Sequence, residues 1–594
     1  MKQSRLLLAI ALPLIFLSLF LTTLRTTASP SATFTVNSTV DAVDVNPGDG
    51  VCETAVGNGV CTLRAAVMEA NALASEDTIQ LPSGSYLLTI SGEDEDISAT
   101  GDIDITDDLF FIGNDMATTI IDGNQLDRIF HIFGGSVSIS DMTITNGEVT
   151  GSSGGGGIYL ERDDGGFPGN LTLDTVTISN NRSSGIGTIS SISGGGILSK
   201  GMLTVTNSLI ISNETIWGTG GGIRGEEHLV IQKTEVRENI ASGLGGGVVA
   251  TSMILKDSLI DGNTLTDNSG EGGGLYISGG GPFIFFPLII EDSIISNNSI
   301  LSGQGGGIFI GANASLTVSR TKIISNSANS PNGNTGTRGG GIYNESNQGV
   351  TIVDTTITGN SSDHDGGGIY IDGSGIGEMI LNRVTINQNI APSQGAGIYN
   401  GGTLSLINVT IAENKAEGSF NKEGGGIYNN GTALTLLNST IVNNEALYGG
   451  GIYHSPTFGS ATLENTILAN NSASGFISPG DPDTHNCFGS ITSAGNNLED
   501  GSDCNFSSSG DLSNTNPLLF PTAIANEAVV FIPLSGSPAI DAGSNTNCPI
   551  DDQRLVARPI DGDNSGGAVC DIGSVEYDPS QDIFFFTFLP TIFK

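Results

Sequence analysis

The chain has 594 residues and carries 62 acidic against 21 basic side chains, a net charge of −41. Such a field repels nucleic acid and anionic lipid, so neither is expected as a partner, and it suits an exported protein in contact with divalent cations. Lys2 and Arg5 precede an apolar run from Leu6 to Leu21, followed by small residues at Thr26-Thr27-Ala28. This order reads as a secretory signal peptide over residues 1–28, with a retained anchor helix as the alternative. No later stretch is long and apolar enough to span a bilayer, so the mature chain is expected without a transmembrane span, as a secreted or surface-held monomer.

Residues 29–110 open with Asp49-Gly50-Val51-Cys52 and continue at Cys61-Thr62-Leu63-Arg64-Ala65-Ala66, where Leu63, Val67 and Ala70 share one face of a short helix. The stretch resembles the CSLREA domain, named for its Cys-Ser-Leu-Arg-Glu-Ala signature, with Thr62 in place of Ser and Ala65 in place of Glu. Gly101-Asp102-Ile103-Asp104-Ile105 and Asp127-Arg128-Ile129-Phe130 are similar to the continuation of that family. The resemblance implies the N-terminal cap and first rungs of an exported bacterial β-helix protein and names no activity. Glu93-Asp94-Glu95-Asp96, with Asp102, Asp104, Asp107 and Asp108 nearby, is a candidate calcium cluster or a solvated acidic loop.

From 111 to 514 the chain repeats. Ten copies of Gly-Gly-Gly, and one Gly395-Ala396-Gly397, are each followed by an apolar residue, from Ile158 to Ile452, at spacings of 25 to 39 residues. Each repeat also carries apolar-x-x-Asn, as in Ile323 to Asn326 or Ile386 to Asn389, and often an Asn or Asp six residues earlier, as at Asp354 and Asn408. Short alternating runs such as Leu404-Ser405-Leu406 lie between, the pattern of half-buried strands. Gly and Asn tolerate positive φ and suit corners, and stacked copies would place Asn amides in a ladder. The expected fold is all-β, a right-handed parallel β-helix of three short strands per turn with disulfide-stapled ends. The Gly-Gly-Gly-Ile-Tyr and Ile-x-x-Asn pair resembles the repeats of chlamydial polymorphic outer membrane proteins over roughly 150–475, a likeness that implies the fold and not a function.

Cysteines occur only at 52, 61, 487, 504, 548 and 570. An even set in an exported chain suggests disulfides; fifteen pairings are open, and the local set Cys52–Cys61, Cys487–Cys504, Cys548–Cys570 is the expectation. No Cys-x-x-Cys supports zinc. Residues 515–577, through Ser537-Pro538-Ala539-Ile540-Asp541-Ala542-Gly543, Asp552-Gln553-Arg554, Arg558-Pro559 and Cys570-Asp571-Ile572-Gly573 with Glu576, are similar to the choice-of-anchor Q domain, which implies a place near the end of a bacterial surface protein. Asp561, Asp563 and Ser565 have the alternating oxygens of a calcium loop, although Ile572 at the twelfth position excludes an EF-hand. Residues 578–594 read either as a sorting tail or as a frayed end; no sortase motif is present.

Catalysis has weak sequence support. The Gly-His-Gly and Arg-Ile-Lys signatures of polygalacturonases and the Asp-Pro-His-Glu of alginate epimerases are absent. The best local set is Asp363-His364-Asp365 on a corner with Asp372 shortly after, where paired carboxylates would do acid–base work. His454 and His485 are expected at the surface. Aromatic content of 6% and a single Trp, Trp217, leave little stacking surface for a sugar groove. The expected role is binding, adhesion or structure, with surface glycans or other envelope components as partners and no cofactor except calcium. The alternative is a carbohydrate-active enzyme, to be favoured by a groove where three or more acids converge.

Overall fold

The computed structural model describes residues 31–580 except 93–94, 152–153, 164, 186–192, 268–269, 281–286, 331–335, 376, 419–421, 456, 458, 476–484 and 525–527. Residues 1–28, where the sequence leads one to expect a signal peptide, the tail beyond Ser580, and Glu93 and Asp94 of the acidic run lie outside the described residues.

Alternating strands stack in register, parallel to their counterparts one repeat away. In one representative turn the chain runs through Ile369–Ile371, Glu378–Asn382, Thr385–Asn387 and Ile390–Ala391. The first three belong to one continuous parallel sheet, and the fourth to a second sheet of twelve short strands. Three strands per turn are therefore present as expected, and a fourth of two or three residues follows the Asn corner. Ile342, Ile369, Ile398 and Ile427 lie above one another and are fully buried. Each buried Ile contributes roughly 1.5–3 kcal/mol, and the sum along the coil forms one core.

The corners need positive φ. The residue before each ladder Asn from Asn181 to Asn471 is left-handed, for example Asn297 at 52° and Asn443 at 56°. So is the residue six before it, where Asp257 and Asn408 stand but also Arg320 and Arg383. A long side chain there is strained, and inter-rung ion pairs offset the cost. Arg320 Nε bonds Asp292 at 2.7 Å, and Arg383 Nε bonds Asp354 at 2.6 Å, each reaching the same corner one turn back.

The Asn ladder runs unbroken from Asn181 to Asn486. At Asn326, Oδ1 accepts from the backbone N and Nδ2 of Asn298, both at 3.0 Å, while Nδ2 donates to Ile295 O at 2.9 Å and to Asn360 Oδ1 at 3.0 Å. Every amide group is paired, so a fully buried polar column costs little and specifies register. The third glycine of each triplet makes room for it: a Cβ on Gly341 would lie 3.1 Å from Asn360 Cγ and 2.6 Å from Gly368 O. Glycine and asparagine motifs are two halves of one packing arrangement.

The three disulfides have the local pairing, with Cα separations of 5.1, 4.9 and 6.1 Å. The helix Leu63–Ala72 forms where expected, capped by Thr62, and buries Leu63, Val67 and Ala70 against the first rungs. At the other end, the described residues after 515 form no further rungs. A hairpin, Leu519–Ala523 with Val529–Pro533, and the loops after it lie on the outer flank of the coil. Gln553 Nε2 donates to Val384 O at 3.0 Å, Asn408 Nδ2 to Asp551 O at 2.9 Å, Asn438 Nδ2 to Asp571 O at 3.0 Å and Asn465 Nδ2 to Ser544 O at 3.1 Å. Phe531, Ala539 and Ile572 pack on Ala412, Val442 and Ile467 beneath them.

Candidate functional site

On each strand that follows the glycines, the first and third side chains enter the core and the second faces outward. Register places these second residues in one column: Asp104, His131 and Tyr159 in the first rungs, and Tyr276 through Tyr453 to Phe488 further on. The two ends of the column differ. From Tyr276 to Phe488, eight rings stack with centroids 4.4–5.2 Å apart. Their faces cover one another, so they brace the sheet, while the edges of Tyr370 and Tyr399 line a depression of about 490 Å³ with Gly373, Gly401 and Asn430.

At the N-terminal end the column is polar and opens into a cleft of about 270 Å³. Glu95, Asp96, Asp102, Asp127, Glu148 and Glu161 line it together with Arg128, His131 and Tyr159. Arg128 Nε pairs with Asp102 Oδ2 at 2.9 Å, and its guanidinium lies 5.2 Å from the Tyr159 ring centre. Tyr159 stacks on His131 at 4.8 Å and donates its hydroxyl to Glu161 Oε1 at 3.0 Å; Lys200 donates to the Tyr159 oxygen. Burial, reinforced by the Asp104 charge, pushes the Asp102 carboxyl up to about 8, and burial pushes Asp104 up to about 7. Burial and the nearby Arg128 charge hold His131 down at about 4, so its ring is neutral at neutral pH and its 3.8 Å approach to Asp104 is no ion pair.

The helix Leu63–Ala72 positions this cleft. Arg64, fully buried, pairs with Asp41 at 2.7 Å and donates to the carbonyls of Ser98 and Asp102 at 3.0 Å and of Gly101 at 2.8 Å. Asn71 Nδ2 donates to Asp104 O at 2.7 Å. One short helix therefore clamps the segment that carries Asp102 and Asp104. Gly101–Ile105 and Asp127–Phe130, distant in sequence, meet in the same cleft.

The sequence candidates for catalysis have separate attachments. Asp363 accepts from Ser330 N; Asp365 is buried, with His364 Nδ1 at 2.6 Å and Arg338 Nε at 3.3 Å from its Oδ2. Asp372 accepts the Tyr343 hydroxyl at 2.7 Å and Ser374 N at 2.8 Å. Burial works upward on Asp372, and these hydrogen bonds outweigh it, so its pKa is lowered. In the loop of Asp561, Asp563 and Ser565, the carboxylates accept from the backbone N–H groups of Ser565 and Gly566, and Asp541 joins them within 4.8 Å. His454 corrects its expected surface position: it is 5% exposed, its Nδ1 2.9 Å from Asn429 Nδ2. It occupies the third, inward position of its strand, where the rung below has Asn429. Trp217 is 61% exposed, beside a depression of about 330 Å³ that Ile216 and Ile240 also line.

Residues 253–416 match a family model described as a right handed beta helix region. The coil is a right-handed parallel β-helix. Similar solved structures include the A-module of the Azotobacter vinelandii mannuronan C-5 epimerase AlgE6, 14% identical over 74% of this chain and 97% of that one, with a TM-score of 0.33. Pectate lyase Pel9A is 12% identical over 93% of this chain and 98% of that one, with a TM-score of 0.31. Likenesses this distant carry no argument about activity. Among curated proteins none matches by sequence. No helix among the described residues is long and apolar enough to cross a membrane.

Proposed function

We propose that this chain is an exported β-helix protein of the bacterial envelope that binds a glycan or another envelope component at the cleft around His131 and Tyr159. The observation that carries this reading is the convergence of six carboxylates and Arg128 on one opening, in a column whose other end is a file of stacked rings beside a depression with no such charges among the described residues of its lining. Carboxylates and a guanidinium bond sugar hydroxyls, while the ring pair supplies apolar surface. Disulfides confined to the end regions support export. In this reading residues 1–28 are the signal peptide, the CSLREA-like unit presents the cleft, and the choice-of-anchor Q-like unit precedes a retention signal in 578–594. A calcium ion held by Asp561, Asp563 and Ser565 would brace the loop closed by Cys548–Cys570.

A glycan and polysaccharide panel tests the reading, with Lys200→Met and Glu148→Gln at the cleft and Trp217→Ala away from it. Loss of a hit in the first two variants, with retention in the third, supports the cleft; an unchanged hit in all three removes it. The convergence of acids also favours the second reading, a polysaccharide lyase or glycoside hydrolase at the same place, and release of shortened products in the same panel distinguishes it from binding. Deleting residues 579–594 tests retention: escape into the medium supports a sorting tail, and unchanged association with cells opposes it.

A further inference from the structure

Asp104 is fully buried, and among the described residues its Oδ1 has no hydrogen-bond partner. Its other oxygen accepts from Ser98 N at 2.8 Å, so the carboxylate is held in place with one oxygen aimed outward along the column. His131 faces that oxygen. The Nε2 of His131 is 3.3 Å from Glu161 Oε2, a carboxylate that only accepts, so Nε2 carries the ring proton and Nδ1 is left an acceptor. Nδ1 then points at Asp104 Oδ1 across 3.8 Å. A buried carboxylate oxygen without a partner and an imidazole lone pair face one another, an arrangement that is costly unless a proton or a cation bridges them. Asp96 joins them: one carboxylate oxygen of Asp96, one of Asp104 and a ring nitrogen of His131 lie within 4.8 Å of one another. The nearby cations are engaged elsewhere: Arg128 with Asp102 at 2.9 Å, and Lys200 with Tyr159 and, at 3.7 Å, Glu161.

We propose that Asp104 Oδ1, His131 Nδ1 and Asp96 form a divalent transition-metal site, with Glu161 as the positioning residue that fixes the imidazole tautomer. One imidazole nitrogen with two carboxylate oxygens suits zinc, cobalt or manganese and not calcium, which takes six to eight oxygens. Metal–ligand bonds near 2.1 Å put tetrahedral ligands about 3.4 Å apart, so the Asp104–His131 gap of 3.8 Å closes with a shift of a few tenths of an ångström, and the exposed Asp96 side chain swings in by about an ångström or less to join them. A carboxylate–histidine–metal relay is the usual way such a ring is oriented. Three protein ligands leave a coordination position open toward the cleft. Two of the donors belong to the acidic cluster that by itself suggested calcium, and the third, His131, is brought beside them only by rung register.

The test uses the mature, EDTA-treated full-length protein in about 0.15 M salt, where nonspecific attraction to the acidic surface is screened. Calorimetry with Zn2+ should give one site per chain, with Ca2+ binding far more weakly, and Co2+ should develop a visible spectrum. Asp104→Asn and His131→Ala should abolish the site, and Glu161→Gln should weaken it about 10–100-fold. Asp104→Asn guards against misfolding: its amide can donate to His131 Nδ1, so the metal-free melt should hold while the Co2+ spectrum disappears. Zn2+ affinity unchanged in His131→Ala, or Ca2+ binding equal to Zn2+ and indifferent to His131, overturns the proposal. So does a wild-type protein with no stoichiometric site, in which a proton bridges the two acceptors.

Discussion

The two ends of the coil use buried polar residues in opposite ways. On the C-terminal flank they close on one another. Arg558, fully buried, donates to the carbonyls of Asp571 and Gly573 at 3.2 and 2.8 Å; Glu576 accepts from Ile560 N at 2.7 Å and Asp571 N at 3.0 Å; and Gln553 is consumed by Val384, Thr385 and Thr410 of the coil. At the N-terminal end Arg64 and Asn71 are consumed in the same manner, yet what they hold is a pair of acids facing a cleft. Polar residues in a resemblance motif do not by themselves mark a site. The distinction lies in whether the last group in the chain of hydrogen bonds has a partner or faces an opening.

Breaking the coil between the ends should affect both. Asn326→Leu orphans the Asn298 donors and the Ile295 carbonyl, at a cost of about 3–6 kcal/mol. Urea unfolding followed by hydrogen exchange should show lost protection in the middle rungs and a lowered midpoint overall. Arg64→Met should act at one end only. It leaves Asp41 without its 2.7 Å partner and costs about 3–5 kcal/mol, with protection lost around 98–105 and retained around 551–577. Gln553→Ala should do the converse on a smaller scale, about 1–3 kcal/mol, exposing the flank to protease while binding at the cleft is unchanged.

The smallest effect concerns pH. Burial pushes Glu499, near the Cys487–Cys504 bridge, up to about 7 from 4.5. An acid raised in the folded state adds stability that is complete below pH 4.5 and lost as pH rises through 7. The C-terminal rungs should therefore melt higher at pH 5 than at pH 9, and Glu499→Gln should flatten that slope. A slope that survives the substitution would place its origin elsewhere.

Most of the coil is legible in the sequence, because glycine triplets and ladder asparagines are required at every turn by the same packing. The helix and the local disulfides are legible for similar reasons: each is decided within about two dozen residues. The cleft is not. Asp104, His131 and Tyr159 are each just the outward residue of a three-residue strand, and only rung register brings them together. A partial signal does exist: the residue two places beyond the last glycine is tyrosine or phenylalanine in the turns from Tyr276 to Tyr453 but Leu198, Arg224 and Val249 before them, while the rungs of Asp104 and His131 lack the triplet and escape this alignment. Low aromatic content overall hides the ring ladder, since eight of the chain's aromatic side chains are gathered into a single file.

The flank segment also determines how the molecule would respond to tension. Bonds between rungs run along the coil axis, so a pull on the final rung would peel turns away one at a time. The chain does not leave the molecule there. After its last rung it returns along the side and reaches Tyr577 beside contacts with Thr385, Asn408, Thr440, Asn465 and Asn496, which belong to five successive turns. A force entering from the C-terminal side is thus shared across five rungs in shear, the last turn among them, and does not peel that turn away first.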